Sequence, residues 1–525
     1  MNIEEKFINL LLEKDITGLR QFFSLQRIFA KQYKRQFFRK DLLIKKYHTL
    51  LAEGKIKENK HVEELLKIRS IRSVSGVVSI SVLTKPFPCP GRCLYCPNQK
   101  GMPKSYLKDE PAVQRAILNN FDPYKQTQSR LRALEAIGHK TDKITIRIVG
   151  GTWSFYDRKY QTWFVKRIFQ AINDYPRKSV FNTTLLHAQK INETAERKVV
   201  EMGIETRQEY ITTEEIKRLR RLGVTKVELG VQSIYDDVLK ENNRDNVTAD
   251  TIRATKMLKD AGFKVSYQVM LNLYGSNIDR DRAMFDELFG NSDYMPDHIK
   301  IYPLAVLKEA PLYKVYLKKK FKIYSDHDLK NLIVDIKQKI PHTCRVERII
   351  RDIPAAYIVA GCKTSNMRQL VQEKMRELGL KCKCIRCREI RKDSKSDKLQ
   401  LFSEMLESSD ASELFISIES SDRKNLYGIL RLRFPNKKDC FMRVLKSAAI
   451  IRDFHVFGQL VAISKTKSLS TRHKLLRDQL IKEAEKVAKE KGYKNLAFTC
   501  GIGLRTYFKE LGYKLRENYM IKSLI

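Results

Sequence analysis

The feature that most constrains the fold is an alternation of short strands and helices through the middle of the chain. Lys143 to Val149 (KITIRIV) has the two-residue period of a strand and ends on Gly150-Gly151-Thr152. The pattern then predicts a helix over 160–173, a strand over 179–186 and a helix over 191–202. Helices over 213–222 and 249–261 and strands over 224–231 and 264–271 follow. Strands separated by helices pair in parallel, because each helix carries the chain back along the sheet. Six or so such units predict the α/β class and a partial or full β/α barrel. In barrels the chemistry sits at the C-terminal strand ends. Gly150 and Gly151 fall at such an end, where glycine lets backbone approach a ligand closely.

Ahead of this region, GVVSISVLTKPFPCP reads as a strand running into CPGRCLYC, residues 89–96. Cys89, Cys93 and Cys96 are separated by three and two residues, and no nearby Cys or His completes a tetrahedral set. Structural zinc takes four protein ligands. A 4Fe–4S cluster can be held by three thiolates, leaving one iron open. With an aromatic, Tyr95, before the last Cys, the loop predicts a radical S-adenosylmethionine (SAM) cluster. The competing reading is a zinc knuckle with a distant fourth ligand. Cys382, Cys384 and Cys387 (KCKCIRCRE) form a second group, compact enough to share one zinc ion, with Cys362 or Cys344 as fourth ligand. The ten cysteines thus predict metal binding in a cytoplasmic protein rather than disulfides.

The 525 residues suffice for two or three domains. No apolar run approaches membrane-spanning length, and MNIEEKFINLLLEKD lacks a signal-peptide pattern. The 101 Lys+Arg against 61 Asp+Glu give a formal charge of +40, a field that attracts polyanions, nucleic acid first among them. A solvated basic surface is the alternative. Residues 1–75 read as basic helices in which Lys and Arg alternate with Phe, Tyr and Leu, suited to gripping phosphates and stacking on unpaired bases. The same pattern fits an amphipathic bundle with a basic outer face. Residues 76–340 form the cluster domain, 341–395 a zinc-binding linker, and 396–525 a final domain that opens on a polar linker over 396–402. That domain is rich in strands (LFISIES, YGILRLRF, AAIIRDFHVFG), with a helix over 470–490 and a late Tyr-Phe helix. The order matches an acyl-CoA N-acetyltransferase (GNAT) type of α+β domain.

Taken together, CPGRCLYCPN, FDPYKQTQSRL, VGGTWSFY, ETRQEYIT, VELGVQSIYDDVL, KIYPLAV, RDIPAAYIVAG, KTSNMRQL, KCKCIRCRE, YGILRLR, HVFG and GIGLRTYFKELGY closely resemble the catalytic subunit of Elongator, a radical-SAM tRNA uridine acetyltransferase family. The resemblance runs over roughly residues 70 to 525, and a dozen blocks in the same order exceed chance. It implies transfer of a carboxymethyl group to carbon 5 of the wobble uridine of tRNA, with acetyl-CoA as co-substrate. That carbon is a poor nucleophile and the acetyl methyl is unactivated, a problem that a carbon radical solves. By the same resemblance Gly150 and Gly151, and more loosely Glu205 and Gln232, contact SAM. Lys143 and Tyr507 are the catalytic candidates beside acetyl-CoA. Asp453, Phe454, His455 and Val456 line the pantetheine, and Lys300 is a cleft residue without assigned role. The anticodon arm is the expected RNA partner, with accessory subunits or a homodimer as further partners.

The chain departs from the family pattern at several points. Leu475, Leu476 and Arg477 stand where a glycine turn would bind the CoA pyrophosphate. Phe508 replaces a second tyrosine, Gln208 a proline, and Asn-Arg-Asp-Asn at 243–246 stands for Arg-Gly-His. Two other functions remain open on these departures: a protein lysine acetyltransferase with a structural cluster, and a tRNA-binding homologue with impaired acetyl-CoA turnover.

Overall fold

The computed structural model describes residues 3–14, 16, 18–33, 38–66, 76–176, 183–390, 398–436, 439–458 and 471–525. Its centre is a curled sheet of seven parallel strands. They are β1 (Val78–Leu83), β2 (Lys143–Val149), β3 (Lys198–Thr206), β4 (Lys226–Gln232), β5 (Lys264–Leu271), β6 (His298–Pro303) and β7 (Arg345–Ile349). They lie side by side in chain order, an open half-barrel. The helices between them cover the outer face and bury Val, Ile, Leu and Phe against it. One helix shows how locally the units are specified. Thr213–Leu222 opens on Thr212, whose hydroxyl accepts from the Glu215 N–H, and closes on Gly223 at φ +90°, a conformation that favours glycine.

Two expectations shift here. The strand expected over 179–186 partly lies outside the described residues, and Leu185 and Leu186 open a helix, Leu185–Thr194. The helix expected over 191–202 ends at Thr194, and residues from Lys198 onward are strand β3. Its inward side chains include Glu201 and Glu205, so no clean apolar period marks it. The sheet also runs past residue 340, because β7 pairs in parallel with β6.

The second sheet consists of β8 (Leu399–Ser408), β9 (Ala411–Ser420), β10 (Leu426–Phe434), β11 (Ala448–Val456), β12 (Asn495–Phe498), β13 (Lys514–Arg516) and β14 (Tyr519–Ser523). Its order is β8-β9-β10-β11-β12-β14-β13, antiparallel except for β11 against β12. Residues 399–402, expected as linker, already belong to β8, while 391–397 lie outside the described residues. The helix Thr471–Glu490 packs Leu476, Leu480, Ala484 and Ala488 into this domain's core.

The two sheets meet at the N-terminal ends of the barrel strands, through ionic contacts. Arg452 binds Asp297 through two bonds of 2.8 and 2.9 Å, and Arg433 binds Asp260 at 2.7 Å. Lys264 lies 3.3 Å from Asp453. At the N-terminus the helices Ile3–Glu13, Leu19–Gln32, Lys40–Ala52 and Lys60–Leu66 form a separate core around Phe7, Phe22, Phe29 and Tyr47. Phe22 and Phe29 are thus core residues, whereas Phe23, 44% exposed and beside Lys40 at 5.5 Å, faces solvent. Among the described residues no helix is long and apolar enough to cross a membrane.

Candidate active site

Strand β1 delivers the chain to the C-terminal rim of the half-barrel, and the Cys89–Cys96 loop lies across that rim. Cys93 is buried, and Cys89 and Cys96 are half-buried. The Cys89 sulfur sits 3.8 Å from the Thr152 hydroxyl, beyond the end of β2. Two guanidinium groups face Cys93: Arg244 at 3.8 Å and Arg207 at 3.9 Å. A hydrogen bond with Cys96 and these two cations hold the Cys93 thiol down at about 5, overcoming burial. Arg244 also donates to the Tyr95 hydroxyl at 3.2 Å. The Cys93–Cys96 hydrogen bond, and then burial, push the Cys96 thiol up; the loop thus favours one thiolate, at Cys93, with buried positive charge against it.

The second cysteine group is compact. The sulfurs of Cys382, Cys384 and Cys387 all lie within 4.8 Å of one another. Zinc–sulfur bonds of about 2.3 Å place ligand sulfurs roughly 3.8 Å apart, so this triad suits one ion. Cys387 is held low by hydrogen bonds with Cys382 and Cys384, with the Lys337 ammonium 3.6 Å away. Cys362 stays out of the group; its thiol points to the Thr364 carbonyl at 3.8 Å. Cys344 is buried nearby, and its thiol is pushed up by burial and then by Cys384.

Next to Cys96 a cavity of about 200 Å³ opens into the barrel, lined by Tyr106, Arg147, Glu205, Gln232, Gln268 and Arg351 among others. Glu205 accepts from Tyr106 at 2.8 Å and from Gln268 at 3.3 Å. Gln232 sits at φ +70° at the end of β4. Both looser SAM candidates thus share one cavity with the cluster loop. Gly150 has φ +136°, and a Cβ there would lie 1.9 Å from the Thr84 hydroxyl. Its carbonyl accepts from Tyr156 at 3.0 Å. Packing against β1 therefore already demands glycine at 150. Gly151 is more open, with the Lys104 carbonyl 3.6 Å from such a Cβ.

Inside the barrel, ions replace the usual branched apolar layers. Glu228 lies among Arg147 (3.3 Å), Lys226 (3.7 Å) and Lys300, which donates to it. Lys226 and His298 both reach Glu347. The Lys300 cleft candidate is 1% exposed, so it belongs to this ladder. The ladder continues to Lys264, Glu201 and Asp453 at the opposite end of the strands.

The acetyl-CoA candidates gather at that opposite end. Lys143 begins β2, a strand length of about 20 Å from Val149, and is buried, which lowers its ammonium. It pairs in register with Lys198, on which the Ile502–Leu504 turn of the last domain rests. The parallel ladder of β11 with β12 stops at Ile451↔Phe498. Beyond it, residues 453–456 pair with β10 on one side and with no described strand on the other. Asp453 turns its carboxyl to Lys264, Phe454 packs on Phe498 at 6.0 Å, and the His455 ring lies 4.5 Å from that of Phe457. Val456 is half-buried at the strand end.

Tyr507 and Arg477 are brought together: the guanidinium lies 5.0 Å from the ring centre. The Tyr507 hydroxyl is buried and without a hydrogen-bond partner among the described residues. Leu475–Arg477 lie within the helix from Thr471, as expected for 470–490, and not in the glycine turn of the family pattern. Leu and Arg favour helix where glycine would break it. Leu476 is buried in the core and Leu475 is 56% exposed. Sequence reasoning passed over Arg207, Arg244 and Glu228, although each sits in a block that was singled out.

Comparison with known proteins agrees with this arrangement. Residues 88–288 match the Radical SAM superfamily model, and 296–377 match the Radical_SAM C-terminal domain. A "tRNA uridine(34) acetyltransferase" of Methanocaldococcus infernus is 39% identical over 99% of this chain and 100% of its own length. That of Methanocaldococcus jannaschii is 41% identical over 89% and 88%. Human "Elongator complex protein 3" is 31% identical over 87% of this chain and 86% of its own. The solved structure of the M. infernus Elp3, with its N-terminus (1–46) deleted, superposes with a TM-score of 0.74 at 39% identity, over 86% of this chain and 99% of that one. The chain belongs to the radical SAM family of tRNA uridine(34) acetyltransferases and Elongator complex protein 3.

Proposed function

We propose that this protein modifies the wobble uridine of tRNA, using SAM radical chemistry and acetyl-CoA to install a carboxymethyl group on carbon 5. The observation that carries the reading is the three-thiol loop on the C-terminal rim, opening on a polar cavity that holds Glu205 and Gln232, in a chain whose relatives are named for this nucleotide. Cys89, Cys93 and Cys96 hold a 4Fe–4S cluster, and Gly150, Gly151, Glu205 and Gln232 hold SAM. When bound, cluster and SAM supply the one-electron chemistry that activates a C–H bond.

The chain's own groups do the remaining work. Arg207 and Arg244 offset the thiolate charge and fix the loop. Glu205, tied to Tyr106 and Gln268, offers a carboxylate oriented for a cationic or hydroxyl-bearing ligand. At the other end of the barrel, the unpaired edge of Asp453–Val456 offers backbone groups to pantetheine. The Tyr507 hydroxyl is placed to donate to a thioester oxygen or a leaving sulfur, and Lys143 supplies a buried amine. The Cys382, Cys384 and Cys387 triad takes a structural zinc. The basic N-terminal bundle and barrel face hold the anticodon arm, in the cytoplasm.

Anaerobic reconstitution with iron and sulfide tests this directly. The expected product is a brown protein that cleaves SAM to 5′-deoxyadenosine faster with tRNA, and hydrolyses acetyl-CoA only when tRNA is present. Wild-type protein that forms no 5′-deoxyadenosine with reductant, tRNA and acetyl-CoA would exclude the radical reaction. Transfer of labelled acetyl to a protein lysine, undiminished by Cys93→Ala, would instead identify a lysine acetyltransferase.

A further inference from the structure

The floor of the cavity beside Cys96 carries a donor and an acceptor that the fold holds side by side. Gln268, on β5, donates its amide nitrogen to the Glu205 carboxylate and to Glu228 Oε2, each at 3.3 Å. Arg147, on β2, donates through Nη2 to the same Glu228 oxygen, also at 3.3 Å. Both side chains line the cavity, and both residues are half-buried. They stand three and two residues before their strand ends, Leu271 and Val149, which places them about 7–10 Å inward of the rim. Gln232, the last residue of β4, lies at the rim with the cluster loop.

Two carboxylates settle which end of the Gln268 amide faces them, since a carboxylate only accepts and would repel the amide oxygen. Oε1 is therefore the end left over, and no donor among the described residues reaches it. The protein's unpartnered polar atoms that are closed to solvent do not include it, so it is open to the cavity that Gln268 lines. Arg147 is in the same position: Nη2 is engaged, while Nε and Nη1 are open and without a partner among the described residues. Lys300, which also holds Glu228, is by contrast 1% exposed. An amide oxygen beside guanidinium N–H groups complements a ligand edge on which an N–H adjoins a carbonyl. The imide edge of uracil has this form, with N3–H between two carbonyls. Cytosine and adenine place a bare ring nitrogen there, lone pair against lone pair with Oε1. Guanine repeats the pair, but its carbon 5 is a ring-fusion atom without a hydrogen to replace. Only an unpaired base offers this edge to a protein.

We infer that Gln268 is the residue that selects uracil: its Oε1 accepts from N3–H of the target base, while Arg147 donates to the neighbouring carbonyl oxygen. This rests on the wobble-uridine reading above and adds a specificity residue to it. With the imide edge held on the floor, the opposite edge, carbons 5 and 6, turns toward the rim, where Cys96 lines the same cavity. Glu205 and Glu228 are then positioning groups, which hold Gln268 and Arg147 in the orientation that reads the base.

The test uses full-length protein reconstituted with iron and sulfide, and measures RNA-stimulated formation of 5′-deoxyadenosine. Anticodon stem–loop RNAs carry uridine, 3-methyluridine or cytidine at the wobble position. Wild type should show a kcat/KM for uridine at least about tenfold above that for the other two, since both leave Oε1 without a donor. Gln268→Ala should lower kcat/KM for uridine and make room for the methyl group. The ratio of uridine to 3-methyluridine then falls on the order of tenfold. A side chain with a merely structural role would lower both RNAs alike and leave that ratio where it was. Gln268→Met, close to glutamine in volume, guards against a variant that unfolds, and it should narrow the gap between uridine and cytidine by a similar factor.

Wild-type protein that is active with uridine and equally active with 3-methyluridine overturns the role of Gln268 and leaves the wobble-uridine reading standing. A Gln268→Ala protein whose loss is equal for all three RNAs, or is confined to the KM for SAM, overturns it as well. Should no RNA raise 5′-deoxyadenosine formation by the wild type, both readings fall.

Discussion

Arg207 and Arg244 stand 114 and 151 residues from Cys93 in sequence and within 4 Å of it in space. A thiolate-rich centre below the protein surface needs such cations, since charge buried without a partner is costly. The three cysteines were legible because ligand spacing is a local property. Their counter-charges were not, because nothing in the sequence says which of 101 basic residues the fold brings to the loop. Tyr507 shows the reverse. Its motif was legible, and the structure adds that its hydroxyl is buried near Arg477 and has no hydrogen-bond partner among the described residues. Burial pushes this phenol up, against the pull of Arg477, so it is a donor throughout the neutral range. Tyr507→Phe is expected to lower tRNA-stimulated acetyl-CoA hydrolysis roughly tenfold, the value of one hydrogen bond to a developing charge. Tyr507→Phe should leave SAM cleavage at the wild-type rate; a parallel loss of both would assign the residue to folding instead.

Among the elements, β2, β4 and β5 were read at or near their observed bounds although Arg147, Glu228 and Gln268 lie inside the barrel, because their outward side keeps an apolar period. Residues 198–202 of β3 were instead read as the end of a helix, since Glu201 interrupts the hydrophobic period there. The charged interior that obscured β3 makes the barrel sensitive to single changes. Glu228, 2% exposed, is shared by Arg147, Lys226 and Lys300, with Glu347 and Glu205 supplying further negative charge. Glu228→Leu leaves those cations buried without it and should destabilise the protein by about 3–5 kcal/mol. Urea unfolding measures this, and a loss below about 1 kcal/mol would mean the cations repartner or take up water. The helical start at Thr471 is a further element-scale outcome. Leu475 to Arg477 continue a helix, so a pyrophosphate contact there would come from the Arg477 side chain and not from the backbone of a glycine turn.

For the whole molecule, the last domain is joined to the barrel by carboxylates paired with cations. Burial would raise Asp453, but the Lys264 ammonium, then His298, hold it at about 2. Asp297 is likewise held well below its ordinary range by Arg452 and Arg431 against burial. A carboxyl whose pKa is lower folded than unfolded binds its proton first in the unfolded chain. Its stabilisation is thus present above about pH 4 and lost as pH falls toward 2. The urea midpoint should fall steeply over that window, and Asp453→Asn should flatten the fall while lowering stability at pH 7. An unchanged slope in the variant would remove Asp453 from the acid transition. The N-terminal bundle, with its own core, is a separable unit. Deleting residues 1–75 is expected to leave SAM cleavage intact and to weaken tRNA binding, with a shallower salt dependence. Undiminished affinity would move RNA binding to the barrel face alone.

Three properties were determined by sequence alone: the thiol set that chooses a cluster, the repeat of strand and helix that chooses a parallel sheet, and the excess of cations that favours polyanions. Each is local or additive, so it survives without knowledge of the fold. Tertiary structure decided where these meet. It set the cluster loop and the acetyl-CoA candidates at opposite ends of one barrel and filled the space between with paired ions. Those outcomes depend on which side chains the closed sheet turns inward and which domain covers its lower end. Residues far apart in the chain fix both.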